Sequence, residues 1–414
     1  MIIHQPEFVV RDGELVVSAR VELKQLVENI PRELWFAFPE TYANYITGRS
    51  DGFAASLLQT AMYFGENLEI RGEISPRLAY GLQEYQKVFH AWFPNVFNLV
   101  EIKYDKLIAF PSSEVLGKVG TAFSGGVDSL YALWSGLSQN QSIPSAQVTH
   151  GLFVHGFDLR LYEQEKYIKI TEEYIHTFQQ LDLELLKART NGAQFWEFRM
   201  RWEYVHGGLL IGTALQFGRL LSCFYVPSTH TYQKLAPMAT SPITDHWLST
   251  ETMNIIHHGA SLNRIQKLAV LSEWETSHKL LRVCTNITRR EGIKNCSQCD
   301  KCLRTMIMLD LIDALPKFTT FQKRLRFRDI LRYALFLAPS PTYPRQIYQA
   351  ALHDGRLDVA LIMLPGILIG GIRRKLSLLA NRVLPRTSIY RLKRHYYGHL
   401  AEDKHGGITK SSGD

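Results

Sequence analysis

Residues 119–131 read VGTAFSGGVDSLY, and the types and spacing of their polar members suit the handling of phosphate. The apolar run ending at Phe123 predicts a buried strand. Ser124-Gly125-Gly126-Val127-Asp128-Ser129 cannot comfortably extend it, and the residues from Leu130 predict a helix. Strand, glycine turn and helix start together make a phosphate cradle. Glycine lets the backbone approach an anion, the N–H groups at a helix start point toward it, and the helix dipole favours its charge. Ser124 and Ser129 add hydroxyl donors. Asp128 would repel phosphate unless a cation stood between them, which implies magnesium. The plain alternative is a glycine turn that only joins a strand to a helix.

A second group of residues points to metal. Cys284, Cys296, Cys299 and Cys302 place one thiolate ahead of a CxxCxxC run, spacing that brings four sulfurs within reach of one tetrahedral ion. A structural zinc suits four thiolates, and CxxCxxC also occurs around iron-sulfur clusters. Cys223 stands apart in an apolar run and reads as a small core residue.

SGGVDS matches the SGGxDS signature of the PP-loop ATP pyrophosphatases, and the chain is identified as resembling that family; no GxxxxGK[ST] of the Walker type occurs. With the cysteines it resembles the 7-cyano-7-deazaguanine synthase branch, which makes a nitrile from a carboxylate through adenylation and ammonia. The likeness covers about residues 117–315, roughly half the chain. It implies a doubly wound, parallel five-stranded α/β sheet of the adenine nucleotide alpha hydrolase type, with ATP and Mg2+ at residues 124–129 and a structural Zn2+ on the cysteines. It implies an adenine site at Phe153, Val154 and His155, partly through backbone groups; an ordinary strand-end histidine is an equal reading of His155. It also implies a basic residue opening the helix after the fifth strand. Arg264 or Lys267 fills that place, where family members usually have lysine.

The elements that would position these residues can be read from periodicity. Residues 1–110 predict a separate α/β module: two strand-like runs around Asp12-Gly13, a strand at LWFAFP, and helices over residues 53–64 and 75–92. No motif in it carries chemistry, and substrate recognition or homodimer formation are its open roles. From residue 111 to 315 strand and helix alternate, with strands expected at 148–154, 183–188, 223–228 and 253–259 after the first. Ligands bind where parallel strands end. That rule gathers Asp158, Asn191, Ser228 and His230 beside the glycine turn, and the polar stretch 228–249 adds Asp245, His246 and Trp247 as substrate-side candidates.

At 414 residues the chain has ordinary globular composition and a formal charge of +8. The last hundred residues carry an excess of about twelve positive charges, so the basic character belongs to the region after residue 316. That region predicts helices, one near residues 348–363; the apolar run 359–372, broken by Pro365 and glycines, is too short to span a bilayer. A solvated basic face is the plain reading; RNA or an anionic membrane surface are its possible partners. Residues 402–414 read as disordered. Few cysteines and no secretory pattern at the start fit a cytoplasmic protein.

The expected activity is adenylation: ATP becomes AMP and pyrophosphate as a carboxylate or amide oxygen of a small-molecule acceptor is activated for ammonia, an amine or a sulfur donor. Asp128, Ser124, Arg264 and Lys267 are the expected catalytic residues. A tRNA-modifying thiolase of the same family is one alternative, calling for an iron-sulfur centre or a reactive cysteine pair and salt-dependent RNA binding. A non-catalytic ATP sensor or assembly subunit is another, calling for nucleotide binding without pyrophosphate release.

Overall fold

A computed structural model of the chain describes residues 1–25, 29–197, 199–284, 292–338 and 341–383. Two compact units emerge, the first formed by Met1–Glu197 with Trp202–Arg324, the second by a short segment ending at Arg201 and the described chain from Leu325.

The first unit begins with β1 (Ile2–Ile3), β2 (Glu7–Arg11), β3 (Glu14–Glu22) and β4 (Glu33–Pro39). Asp12 and Gly13 join β2 to β3 with φ of 53° and 75°, the left-handed pair that a tight hairpin turn requires. There follow α1 (Asp51–Phe64), β5 (Leu68–Ile74), α2 (Pro76–Trp92) and β6 (Ile102–Leu107). Ser75 caps α2, its hydroxyl accepting from Leu78 N at 3.0 Å, and Pro76 occupies a first-turn position where its missing N–H costs nothing.

Strand and helix then alternate: β7 (Lys118–Ala122), α3 (Val127–Gly136), β8 (His150–His155), α4 (Gln164–Gln180), β9 (Glu184–Thr190), α5 (Trp202–Leu215), β10 (Leu221–Pro227) and β11 (Asn254–His258). Three helices close the unit, α6 (Arg264–Ser272), α7 (Glu275–Leu280) and α8 (Asp300–Leu311).

Among the described residues eleven strands make one mixed, mostly parallel sheet in the order β11-β10-β7-β8-β9-β4-β3-β1-β5-β6, with β2 added to β3. Neighbours from β11 to β9 run parallel, and β9 meets β4 antiparallel through Phe36↔Thr190 and Ala37↔Arg189. The sheet therefore does not stop at five strands, as the sequence predicts, but continues into the amino-terminal strands. Local hydrogen bonds explain the join. Asn191 accepts from Trp35 N at 3.0 Å and donates to Glu33 O at 2.8 Å, and Thr190 Oγ1 donates to Trp35 O at 2.7 Å. On one side of the sheet α1 lies against α5 at glycine distance: a Cβ at Gly208 would stand 2.5 Å from Ala55 O, and one at Gly212 2.4 Å from Gly52 O. Only residues without side chains permit that approach.

β7 sits between β8 and β10: the chain steps from it to β8 and β9 on one side, then returns past it to β10 and β11 on the other. Such a reversal opens a crevice beyond the carboxyl ends of the strands.

The second unit contains α9 (Phe327–Arg332), α10 (Thr342–His353) and α11 (Leu357–Val383). The single helix expected near residues 348–363 is two helices, because Gly355 takes φ of 71° and ends the first. α11 runs through Pro365, which can donate no bond to the carbonyl one turn earlier. No helix among the described residues is long and apolar enough to cross a membrane. The expectation for residues 402–414 lies outside the described residues.

Candidate functional site

The SGGVDS bend leaves β7 at its carboxyl end and enters α3. Gly125 has φ of 75°, and a Cβ there would fall 2.0 Å from Tyr174 Oη, so both its conformation and its surroundings demand glycine. The two serines shape the turn. Ser124 N donates to Ser129 Oγ at 3.2 Å, Gly126 N to Ser124 Oγ at 3.3 Å, and Ser129 Oγ to Gly126 O at 3.0 Å. Ser124 remains exposed, and α3 has no side-chain cap on its amino terminus. The backbone donors of its first turn thus lie without a capping side chain just beyond the carboxyl end of β7.

Asp128, in that first turn, is held by two cations. Arg264 Nη2 pairs with Oδ2, and Lys267 Nζ lies 3.2 Å from Oδ1. Asn263 makes a reciprocal capping box with Gln266 at the start of α6, which fixes where both basic residues point. Lys267 is almost fully buried and also donates to Ser228 O at 2.6 Å and Ser228 Oγ at 3.2 Å. Burial alone would raise the Asp128 carboxyl, but Arg264 and Lys267 outweigh it and hold it below the usual range. His230 lies close enough to feel these charges; burial, then Arg264, lowers its basicity.

Arg282, which the sequence reading did not select, locks the bend from behind. Its backbone N donates to Gly125 O at 2.7 Å, its Nη2 to Ser124 O at 2.9 Å and to Asp158 at 2.8 Å, and its Nε to Tyr174 Oη at 3.2 Å. A charge inside the apolar run LLRVC is the signal that marks it. Lys301, at the start of α8, is exposed and within electrostatic reach of Asp158 and Arg264.

The other candidates divide. Phe153, Val154 and His155 have buried side chains, and His155 stacks on Tyr167 at 4.4 Å with Nε2 on Arg160 O at 2.7 Å. The register of β8 with β7 ends at Leu152, so beyond it the strand pairs with β9 alone. Asn191 is committed to the β4 join. Asp245 is buried, bound to Ser241 N at 2.9 Å and to His257 Nδ1 at 2.8 Å, while His246 is exposed beside Trp247. Gly48-Arg49-Ser50-Asp51-Gly52 has the GxSxG pattern of hydrolase nucleophiles, but Ser50 is buried and donates to Arg71 O at 2.7 Å, with Asp51 paired to Arg49.

The four cysteines converge: their ligand atoms all lie within 4.8 Å of one another, three of the residues buried and Cys299 partly so. Cys296 Sγ and Cys302 Sγ are 3.8 Å apart. Zinc-sulfur bonds of ~2.3 Å put the edge of a tetrahedron at ~3.8 Å, so the cluster fits a metal ion such as zinc. Asn295 braces it, accepting from Val283 N at 2.9 Å and Cys284 N at 3.0 Å and donating to Leu281 O at 2.8 Å and Thr320 Oγ1 at 3.0 Å.

Compared with models of known protein families, with curated proteins and with solved structures, the chain matches none.

Proposed function

We propose that the protein is an ATP-dependent adenylating enzyme of the PP-loop type, nearest in character to the 7-cyano-7-deazaguanine synthases. The observation that carries this reading is the first turn of α3: an open SGGVDS bend at the reversal point of the parallel strands, with Asp128 gripped by Arg264 and Lys267. In this reading the uncapped N–H groups of α3 receive the β- and γ-phosphates. Asp128 would hold magnesium only by yielding one of its pairings with Arg264 or Lys267, and the ion would then offset the repulsion between carboxylate and triphosphate. Lys267, anchored on Ser228, and Arg264 stand where negative charge grows as pyrophosphate leaves. The backbone of residues 153–155 takes the adenine edge.

A carboxylate or amide oxygen of a small molecule attacks the α-phosphorus, and the AMP-bearing carbon is then open to ammonia, an amine or a sulfur donor. Positioning and charge neutralisation supply most of the rate. Zinc on four thiolates has no open position, so its part is to hold shape. Sulfurs all within 4.8 Å of one another suit a single ion, which supports the adenylating reading over a thiolase that needs a reactive cysteine pair or an iron-sulfur centre.

Pyrophosphate release from ATP, screened against small carboxylic acids with and without ammonia, tests the proposal. Release is expected with at least one acceptor, and Asp128→Asn, isosteric but uncharged, is expected to lower it by roughly 10² or more with the fold intact. Near-normal release by Asp128→Asn removes the metal role; tight ATP binding without release under any acceptor favours a sensor or assembly protein.

A further inference from the structure

α11 is apolar on two faces. Val359, Ala360 and Met363 are buried, with α10 and the turn after α9 packed along the helix, while Leu357, Leu361, Leu364, Leu368 and Ile372 are exposed. The exposed five recur at spacings of three and four, so they line one stripe of the helix. Leu361 keeps 66 % of its surface and Leu368 68 %. A helix apolar on both sides belongs against something apolar. In the same unit Phe327 and Phe336 are exposed to 65 % and 68 %, interleaved in sequence with exposed Arg326, Arg328 and Arg332.

Charge identifies the occupant. Residues 325–414 contain fifteen Lys and Arg against six Asp and Glu, and Arg373-Arg374-Lys375 follow the stripe directly. Two copies of such a unit repel one another, which disfavours self-pairing through the leucines. RNA would answer the arginines and leave the aliphatic stripe uncovered. A surface with negative headgroups above hydrocarbon answers both. α11 is not long and apolar enough to cross a membrane, so the fit is in the plane of the interface.

We infer that the second unit docks on an anionic lipid bilayer, with the Leu357–Ile372 stripe of α11 in the acyl boundary and basic residues of the same unit on the headgroups. This carries a place of work for the enzyme and is independent of its nucleotide chemistry.

The test is flotation of the full chain with vesicles of phosphatidylcholine alone or mixed with phosphatidylglycerol. Binding to the mixed vesicles is expected, weakened by added salt and weakened about tenfold or more by the surface double variant Leu361→Glu/Leu368→Glu. Circular dichroism checks that the variant is folded; the single change Leu368→Gln, uncharged and a good helix former, is expected to show the same direction. Three results overturn the inference: no vesicle binding, vesicle binding indifferent to the leucines, or concentration-dependent self-association abolished by the double variant in place of lipid binding. RNA binding that survives the leucine changes, without lipid binding, overturns it as well.

Discussion

Asp128 shows how single charges are managed around the bend. A carboxylate in a phosphate site is a liability unless neutralised, and here the neutralising groups come from a helix more than a hundred residues later. The same cations act on their neighbours. His258 lies on β11 with Nε2 2.8 Å from Ser135 Oγ and its ring stacked on Tyr225 at 4.6 Å. Burial, then Lys267 and His257, lowers its pKa to about 4. The folded protein therefore keeps His258 neutral where the unfolded chain takes up a proton, so stability is full above the ordinary histidine value and falls as pH drops toward 4. The loss is on the order of 2 kcal/mol after allowance for partial exposure. Urea unfolding midpoints at neutral pH and near pH 5 are expected to show it, and His258→Gln, which can keep the bond to Ser135, is expected to flatten the fall. An unchanged slope in that variant would assign the acid sensitivity to other buried histidines.

At the scale of elements, the cysteine cluster and the bend are mechanically one piece. Only Val283 separates Cys284 from Arg282, whose backbone and side chain hold Gly125 O and Ser124 O, while Asn295 ties the same segment to Thr320. Cys299→Ser is expected to lose bound metal and several kcal/mol of stability together. Metal content by elemental analysis, read beside the melting temperature, checks this; a stable, metal-loaded variant with altered turnover contradicts a structural role. Much of this region was legible beforehand. SGGVDS announces its turn because two glycines and two serines fit few other conformations, and CxxCxxC announces a ligand set because chain spacing alone brings sulfurs together. Arg282 was not legible. Its partners come from residues 124, 158 and 174, and no local pattern records contacts made across such distances. The pairing of β9 with β4 escaped for the same reason: two registered residue pairs and one asparagine make the join, and each strand alone reads as an ordinary apolar run. Asp245, chosen for its polar loop, proves to serve His257 and its own turn, since a loop's polarity does not say which way its carboxylate faces.

At the scale of the molecule, one sheet carries both the amino-terminal strands and the strands that end at the bend, so the amino-terminal region is part of the body that positions the site. The second unit holds the net positive charge, and the rest of the chain is close to neutral, which assigns steering toward negative surfaces to that unit and leaves the bend to local charges. The account depends on triphosphate entering that crevice at the start of α3. A crystal structure of the protein with a non-hydrolysable ATP analogue and magnesium measures this directly. The predicted result is a triphosphate whose β- and γ-oxygens accept from the backbone of residues 124–129, with the ion on Asp128. Nucleotide bound elsewhere, or a bend left untouched under saturating analogue, contradicts it.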